Sequence, residues 1–235
     1  MPPESKQTQQ NLAIPIAIVI AGVIIGGAIF FMEKGKPVTT TSATGTQQVA
    51  AKDIPAVTPS DHIFGDPNAP IKIVEYTDLE CPFCKQFDAT MKQVMQAYPG
   101  KVAWVMRNFP LQQLHPNAPK LALAAECVAE LGGNDAYWKF KDSIFTQAPI
   151  NTFFDMTKLT TTAQGVGVDG KKFDLCVASG KYQDKISKDF NDAVAAGGQG
   201  TPFSVLITKS GAQVPIPGSQ PFDSLKQAID TALKG

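Results

Sequence analysis

Ile71-Lys72-Ile73-Val74-Glu75-Tyr76, then Cys81-Pro82-Phe83-Cys84, then Phe87, Met91, Val94 and Met95 at helical spacing: this order predicts strand, cysteine pair and helix in succession. The context carries more than the CxxC alone. It places Cys81 at the start of a helix, where unpaired N–H groups and the positive end of the macrodipole favour a thiolate. The thiolate is the form that attacks disulfides. Cys84 lies one turn further on, close enough to close a ring with Cys81. The spacing favours a two-cysteine redox centre. The competing reading is a zinc half-site, which needs a second short-spaced Cys or His pair. Cys127 and Cys176 are far apart in sequence, and His62 and His115 stand alone, so no metal site is predicted.

Outward from this core, Lys101–Phe109 alternates Val102, Trp104 and Met106 with Ala103 and Val105 and reads as a second strand. Two strands joined by the helix Cys81–Tyr98, which Pro99-Gly100 stops, imply a right-handed βαβ unit. Phe203–Ile207 is a third strand, Gly211 turns the chain, and Ala212–Ile216 is a short fourth. Pro221–Leu233 closes the domain as a helix with Phe222, Leu225, Ile229 and Leu233 on one face. About 116–197 carries helical spacing only: Pro116–Leu131, Asp135–Phe145, Thr152–Ala163, Lys171–Ser179 and Lys181–Ala196. Glycines and Pro149 separate these segments. The fold class is α/β, a small sheet domain with an all-helical insertion.

The N-terminal part has a different character. Residues 1–11 form a polar tail, and Leu12–Met32 is an uncharged run long enough to cross a bilayer as a helix. An uncleaved signal-anchor is the favoured reading, with a cleaved signal peptide as the alternative. Gly22 and Gly26 form a small-xxx-small pair. Lys6 precedes the span and Lys34 and Lys36 follow it, a balance slightly against export of the C-terminus. The cysteine chemistry points the other way, because lasting disulfide centres belong to oxidising compartments. The expected location is therefore a single-pass cell-membrane protein with its catalytic domain on the extracytoplasmic side. Residues 33–60, rich in Thr, Ser and Gln, read as a disordered linker to the domain at 61–235. The 21 basic and 21 acidic residues balance, which argues against a nucleic-acid binder. No glycine-rich phosphate loop is present.

In its motifs the chain resembles the DsbA-like members of the thioredoxin-fold disulfide oxidoreductases. The matching pieces are Val74-Glu75-Tyr76 before Cys81-Pro82-Phe83-Cys84, Arg107-Asn108-Phe109-Pro110-Leu111 before His115-Pro116, Ala124–Cys127, Phe173–Cys176, and Gly200-Thr201-Pro202. The resemblance covers about residue 61 to the end. It implies a thioredoxin fold, with Cys81 as the exposed attacking thiol and Cys84 as the buried resolving thiol. It implies a cis Thr201–Pro202 peptide, against an ordinary turn proline, which would set the Thr201 backbone beside the cysteines to pair with substrate. It makes Glu75 a buried acid that relays the proton of Cys84, against a solvated carboxylate on an edge. The dipeptide Pro82-Phe83 lacks the histidine that strongly oxidising members often carry. Cys81 is therefore expected to be lowered from roughly 8.5 into the range of about 4–7, short of the extreme.

The implied activity is thiol:disulfide exchange that forms disulfides in exported proteins. No cofactor is needed; the partners would be reduced exported substrates and a quinone-linked membrane protein that re-oxidises the dithiol. No dimerisation module is visible, so a monomer is expected. A reductase or isomerase of the same fold is the alternative. A binding or chaperone module with a structural CxxC is another. Cys127 and Cys176, an even pair in an exported domain, read as a structural disulfide, against two free buried thiols. Glu80 is expected in solvent, His115 as a capping or packing residue rather than a proton shuttle, and His62 without a role.

Overall fold

The computed structural model of the chain describes residues 52–149 and 152–234. The expected tail, membrane span and most of the linker lie outside these residues. Among the described residues no helix is long and apolar enough to cross a membrane.

Ile71–Thr77 forms the central strand, β2, and His62–Phe64 a short strand before it, β1. Pro82–Ala97 is helix α1, and Val102–Asn108 is strand β3. Phe203–Ile207 and Gln213–Pro217 are β4 and β5. The sheet runs in the order β1-β3-β2-β4-β5. β2 pairs parallel with β3, Glu75 opposite Met106, and antiparallel with β4, Glu75 opposite Ser204. Both faces of the sheet are covered, so β2 and β3 are near-continuous apolar runs rather than alternating ones. β5 is the outer strand on its side and carries Pro215 and Pro217.

Four helices fill the insertion between β3 and β4: α2 (Ala118–Gln147), α3 (Leu159–Gly165), α4 (Gly170–Ser179) and α5 (Gln183–Ala195). A last helix, α6 (Phe222–Ala232), lies against α1. One core joins Ile71, Ile73, Trp104 and Met106 of the sheet to Phe87 and Met91 of α1 and to Leu121, Phe140 and Phe173 of the insertion. On the other face Val74, Tyr76, Val105, Phe203 and Val205 pack with Ile54 and Ala193.

Four sequence expectations need correction. The two helices expected at Pro116–Leu131 and Asp135–Phe145 are one element, α2. It is broken only at Gly133, whose φ of 81° suits glycine. The chain kinks there without a connecting loop. Helix spacing at Thr152–Ala163 resolves into a single 3₁₀ turn, Met156–Lys158, followed by α3.

The third correction concerns residues 52–60, assigned to the linker, which dock on the domain. Ile54 is buried; its N–H donates to Gln213 Oε1 at 2.8 Å, and its carbonyl accepts from Gln213 Nε2 at 3.0 Å. Arg107 donates to the carbonyls of Pro55 (3.0 Å) and Ala56 (3.1 Å) while gripping Asp61 with two further bonds (2.7 and 3.1 Å). Backbone carbonyls and one apolar side chain carry the docking, so composition could not reveal it. Fourth, His62 was given no role. It is buried in β1, stacked on Tyr137 at 3.7 Å, with Nε2 3.1 Å from Glu126.

Cys127 on α2 and Cys176 on α4 are joined by a disulfide, 49 residues apart in sequence with Cα atoms 5.8 Å apart. It ties the long helix of the insertion to a short one. Closing a loop of this length contributes about 4 kcal/mol in the chain-entropy model. Peptide mapping without reduction is expected to find this link in the protein. The Cys127→Ser/Cys176→Ser protein should unfold at lower denaturant concentration by about 2–4 kcal/mol. An unchanged midpoint would show that the link does not constrain the unfolded chain.

Candidate active site

Cys81 is the N-cap of α1, with φ −71° and ψ 123°, and Pro82 holds the first helical position, where no N–H is needed. Its own N–H donates to the Asp78 carbonyl at 3.1 Å, and its carbonyl accepts from Lys85 at 3.1 Å. The sulfur therefore sits at the mouth of the helix. Its pKa falls to about 6. A hydrogen bond from the Cys84 thiol is the largest cause and outweighs burial. The nearby Thr201 side chain and the N–H groups of Cys84 and Phe83 add to it. Cys81 is only 4% exposed, against the expected open thiol. The sulfur is reached through a cavity of about 230 Å³ that Cys81 lines with Leu79, Pro82, His115, Phe145 and Phe153.

Cys84 is fully buried, and the Asp78 N–H points at its sulfur at 3.4 Å. Burial pushes its pKa well up, and the neighbouring charges of Cys81 and Glu75 push the same way. The two thiols thus titrate in opposite directions, as one coupled pair. Glu75 is fully buried on β2. One oxygen accepts the Trp104 indole N–H at 2.9 Å, and the other has no hydrogen-bond partner among the described residues. Burial raises this carboxyl to about 7. The positive charge nearby is Lys141, which lies over the Trp104 ring at 4.6 Å and pairs with the buried Asp88.

The Thr201–Pro202 peptide is cis, and the Thr201 carbonyl lies 3.4 Å from the Cys81 sulfur. The carbonyl belongs to the turn that enters β4, so the sheet fixes it beside the helix mouth. Two exposed large apolar side chains, Leu114 (67%) and Phe153 (53%), line the cavity with Cys81, and Phe83 (61%) is exposed between the two cysteines. Cys127 and Cys176 take no part, being bonded to each other. Among the described residues no cluster of His, Cys, Asp or Glu has the makings of a metal site.

Glu80 differs from expectation. It is buried, and its carboxylate accepts the N–H and the side-chain amide of Asn117, both at 2.8 Å. The bonds anchor the start of α2 to the loop before Cys81. Sequence reading also missed Asp78. Its Oδ1 accepts the Glu80 N–H at 2.8 Å, and its Oδ2 takes the Leu111 N–H and His115 Nδ1, both at 2.8 Å. The available signal was an Asp at the end of a strand, three residues before a helix N-cap, where side-chain capping of loop N–H groups is common.

The lowered thiol gives a titration to test. Thiolate absorbance near 240 nm in the reduced protein is expected to rise with a midpoint near 6. The same shift sets a sign for stability. A folded pKa of about 6 against an unfolded one of about 8.5 means that the native reduced state holds fewer protons between these values. The stabilisation is complete above the unfolded value and is lost as pH falls through about 6. The Tm of the reduced protein, taken relative to the oxidised protein, should therefore climb across that window. A flat difference, or a thiol midpoint near 8.5, would refute thiolate stabilisation.

Comparison with known proteins agrees with this geometry. Residues 57–231 match the family model described as Thioredoxin. The crystal structure of Pseudomonas aeruginosa DsbA2 is 29% identical, with a TM-score of 0.62 over 76% of this chain and 96% of that one. BdbD from Bacillus subtilis (20% identical, TM-score 0.67) covers 79% of this chain and 99% of its own, and shows the shared fold. Among curated proteins, the chain is 31% identical over 84% of its length to Na(+)/H(+) antiporter NhaA 1 of Mycolicibacterium gilvum (strain PYR-GCK). It spans only 30% of that protein. With a helix-mouth dithiol and a matching family model over most of its length, the chain belongs to the thioredoxin family and is similar to DsbA-type structures.

Proposed function

We propose that the chain oxidises thiols of exported proteins: it gives up the Cys81–Cys84 disulfide and leaves with a dithiol. The carrying observation is the place of Cys81 at the mouth of α1, where the donors around its sulfur lower the thiol to about 6. A stabilised thiolate favours the reduced form of the enzyme, and so makes its disulfide the better oxidant. The apolar rim of Phe83, Leu114 and Phe153 suits unfolded substrate segments, whose apolar side chains are still exposed. The Thr201 backbone beside Cys81 suits main-chain pairing with an extended segment. The Cys127–Cys176 link fits an oxidising compartment. In this reading residues 12–32 hold the protein in the cell membrane with the domain outside the cytoplasm, and a quinone-linked membrane partner re-oxidises the dithiol. The ion exchange named for the antiporters is said of proteins nearly three times as long, and nothing in the site calls for it.

The steps follow from the two thiols. A substrate thiolate attacks Cys81 of the disulfide; Cys84 leaves and takes a proton. A second substrate thiolate then attacks the substrate sulfur of the mixed disulfide, and Cys81 departs as a thiolate. Glu75, the buried acid with an unpartnered oxygen, is the proton source and sink for Cys84. In the reverse direction it accepts the proton when Cys84 resolves the mixed disulfide.

Two measurements test this. Equilibration of Cys81/Cys84 with glutathione should give a potential of roughly −120 to −270 mV, and Cys84→Ala should trap substrate as mixed disulfides on Cys81. If the wild-type dithiol stays reduced at the poise of an oxidising compartment, the protein is a reductase. If Cys84→Ala traps nothing, the pair is structural. Separately, Glu75→Gln should leave the Cys81 midpoint near its wild-type value, because Glu75 is not among its main causes. The same variant should slow resolution by Cys84 at neutral pH by about 10- to 100-fold, a modest general-base effect. Equal resolution rates would remove Glu75 from the proton path.

A further inference from the structure

His115 lines the same cavity as Cys81, yet it is not among the main causes of the lowered Cys81 thiol. Its surroundings are built. Asp78 has a fully buried side chain that accepts two backbone N–H groups, from Glu80 and Leu111, as well as His115 Nδ1. A carboxylate already holding two donors is the acceptor in the third bond too, so Nδ1 carries the proton. That fixes the ring and leaves Nε2 as the basic nitrogen. Nε2 has no protein partner among the described residues, and the side chain keeps 12% of its surface open. The other charged groups around the cavity are engaged. Glu80 is held by Asn117, and the Lys85 ammonium donates to the Ala148 carbonyl. Cys81 and His115 line one cavity, so a substrate sulfur placed against Cys81 shares that space with the imidazole, within reach directly or through one water.

We propose that His115, oriented by Asp78, is the acid–base residue for the substrate's thiol, acting from the cavity wall rather than from the CxxC dipeptide. The proton on a substrate S–H passes to Nε2, and the resulting thiolate attacks Cys81. A sulfur–sulfur bond forms to Cys81 as the Cys81–Cys84 bond breaks. The electron pair goes to Cys84, which is protonated, and Nε2 returns its proton to water. The second substrate thiol uses the same nitrogen. In the reductive direction the protonated ring supplies the proton to the leaving substrate thiolate. The proposal rests on thiol exchange at Cys81, not on the direction of electron flow.

The magnitude is bounded. At pH 7 a thiol with a pKa of roughly 8.5 is only about 3% thiolate. Full conversion by a neighbouring imidazole gains at most about 30-fold, and the loss of nucleophilicity on pairing trims this to about 10-fold.

The test is the single-turnover rate at which oxidised full-length protein oxidises a dithiol peptide, followed against pH for wild type and His115→Gln. The variant is expected to be about 10-fold slower at pH 7 and equal to wild type at pH 10, where the substrate is already thiolate. A deficit of the same size at every pH would mean damaged packing and overturn the proposal, as would no deficit at pH 7. A second measurement needs no variant. Wild type should show a weaker dependence of rate on substrate thiol pKa, from about 6 to 9.5, than free oxidised glutathione shows with the same thiols. Equal dependence would overturn it too. Failure here with intact trapping by Cys84→Ala removes His115 alone; failure of trapping removes exchange at Cys81.

Discussion

The buried carboxylate of Asp78 fixes the corner on which the site depends. From one residue, bonds run to the loop before the cysteines (Glu80), to the loop after β3 (Leu111) and to the imidazole of His115. The backbone of the same residue touches both cysteines: its carbonyl accepts the Cys81 N–H and its N–H points at the Cys84 sulfur. A carboxyl group so deep is tolerated only because its oxygens are hydrogen-bonded. Removing it would free three elements at once, so the dithiol geometry and the cavity wall share one support.

The sheet then explains why the two thiols behave so differently. Cys81 lies at the end of α1, where donors converge, whereas Cys84 lies a turn inside, facing Glu75 across the core. Glu75 and Cys84 raise the cost of each other's ionisation, because two anions in a dry pocket repel. One proton therefore tends to stay with the pair until Cys84 reacts. Trp104 contributes to both sides of this balance: its N–H steadies Glu75, while its ring carries the Lys141 ammonium.

Much of this was legible from the sequence because it depends on local patterns. Ile71–Tyr76, Pro82–Phe83 and Phe203–Ile207 announce strand, helix start and strand by apolar content and proline placement alone. The helix mouth at Cys81 follows from the same pattern. The cis Thr201–Pro202 peptide and the buried state of Glu75 came with the family resemblance rather than from spacing. What stayed hidden depends on contacts distant in sequence. His62 reaches Glu126 across 64 residues and Ile54 reaches Gln213 across 159, so neither leaves a mark on its neighbours. Glu80 looked like a solvated surface acid because its partner, Asn117, lies 37 residues away. Gly132-Gly133 read as a helix boundary, but α2 continues through it because only Gly133 leaves helical geometry.

The prolines of β5 have a consequence for the free edge of the sheet. Gly218 donates its N–H inward to Pro202, so by alternation Val214 and Ile216 also face β4, and Gln213, Pro215 and Pro217 present the outer row. Two of those three positions have no N–H, and the side chain of the third is bound to Ile54 of the docked segment. The sheet therefore offers almost no template on this side for another strand to zip onto. Under the proposed function, this edge guards the domain against being incorporated into aggregates of the polypeptides it would handle. Main-chain pairing with substrate would fall to the Thr201 backbone beside Cys81.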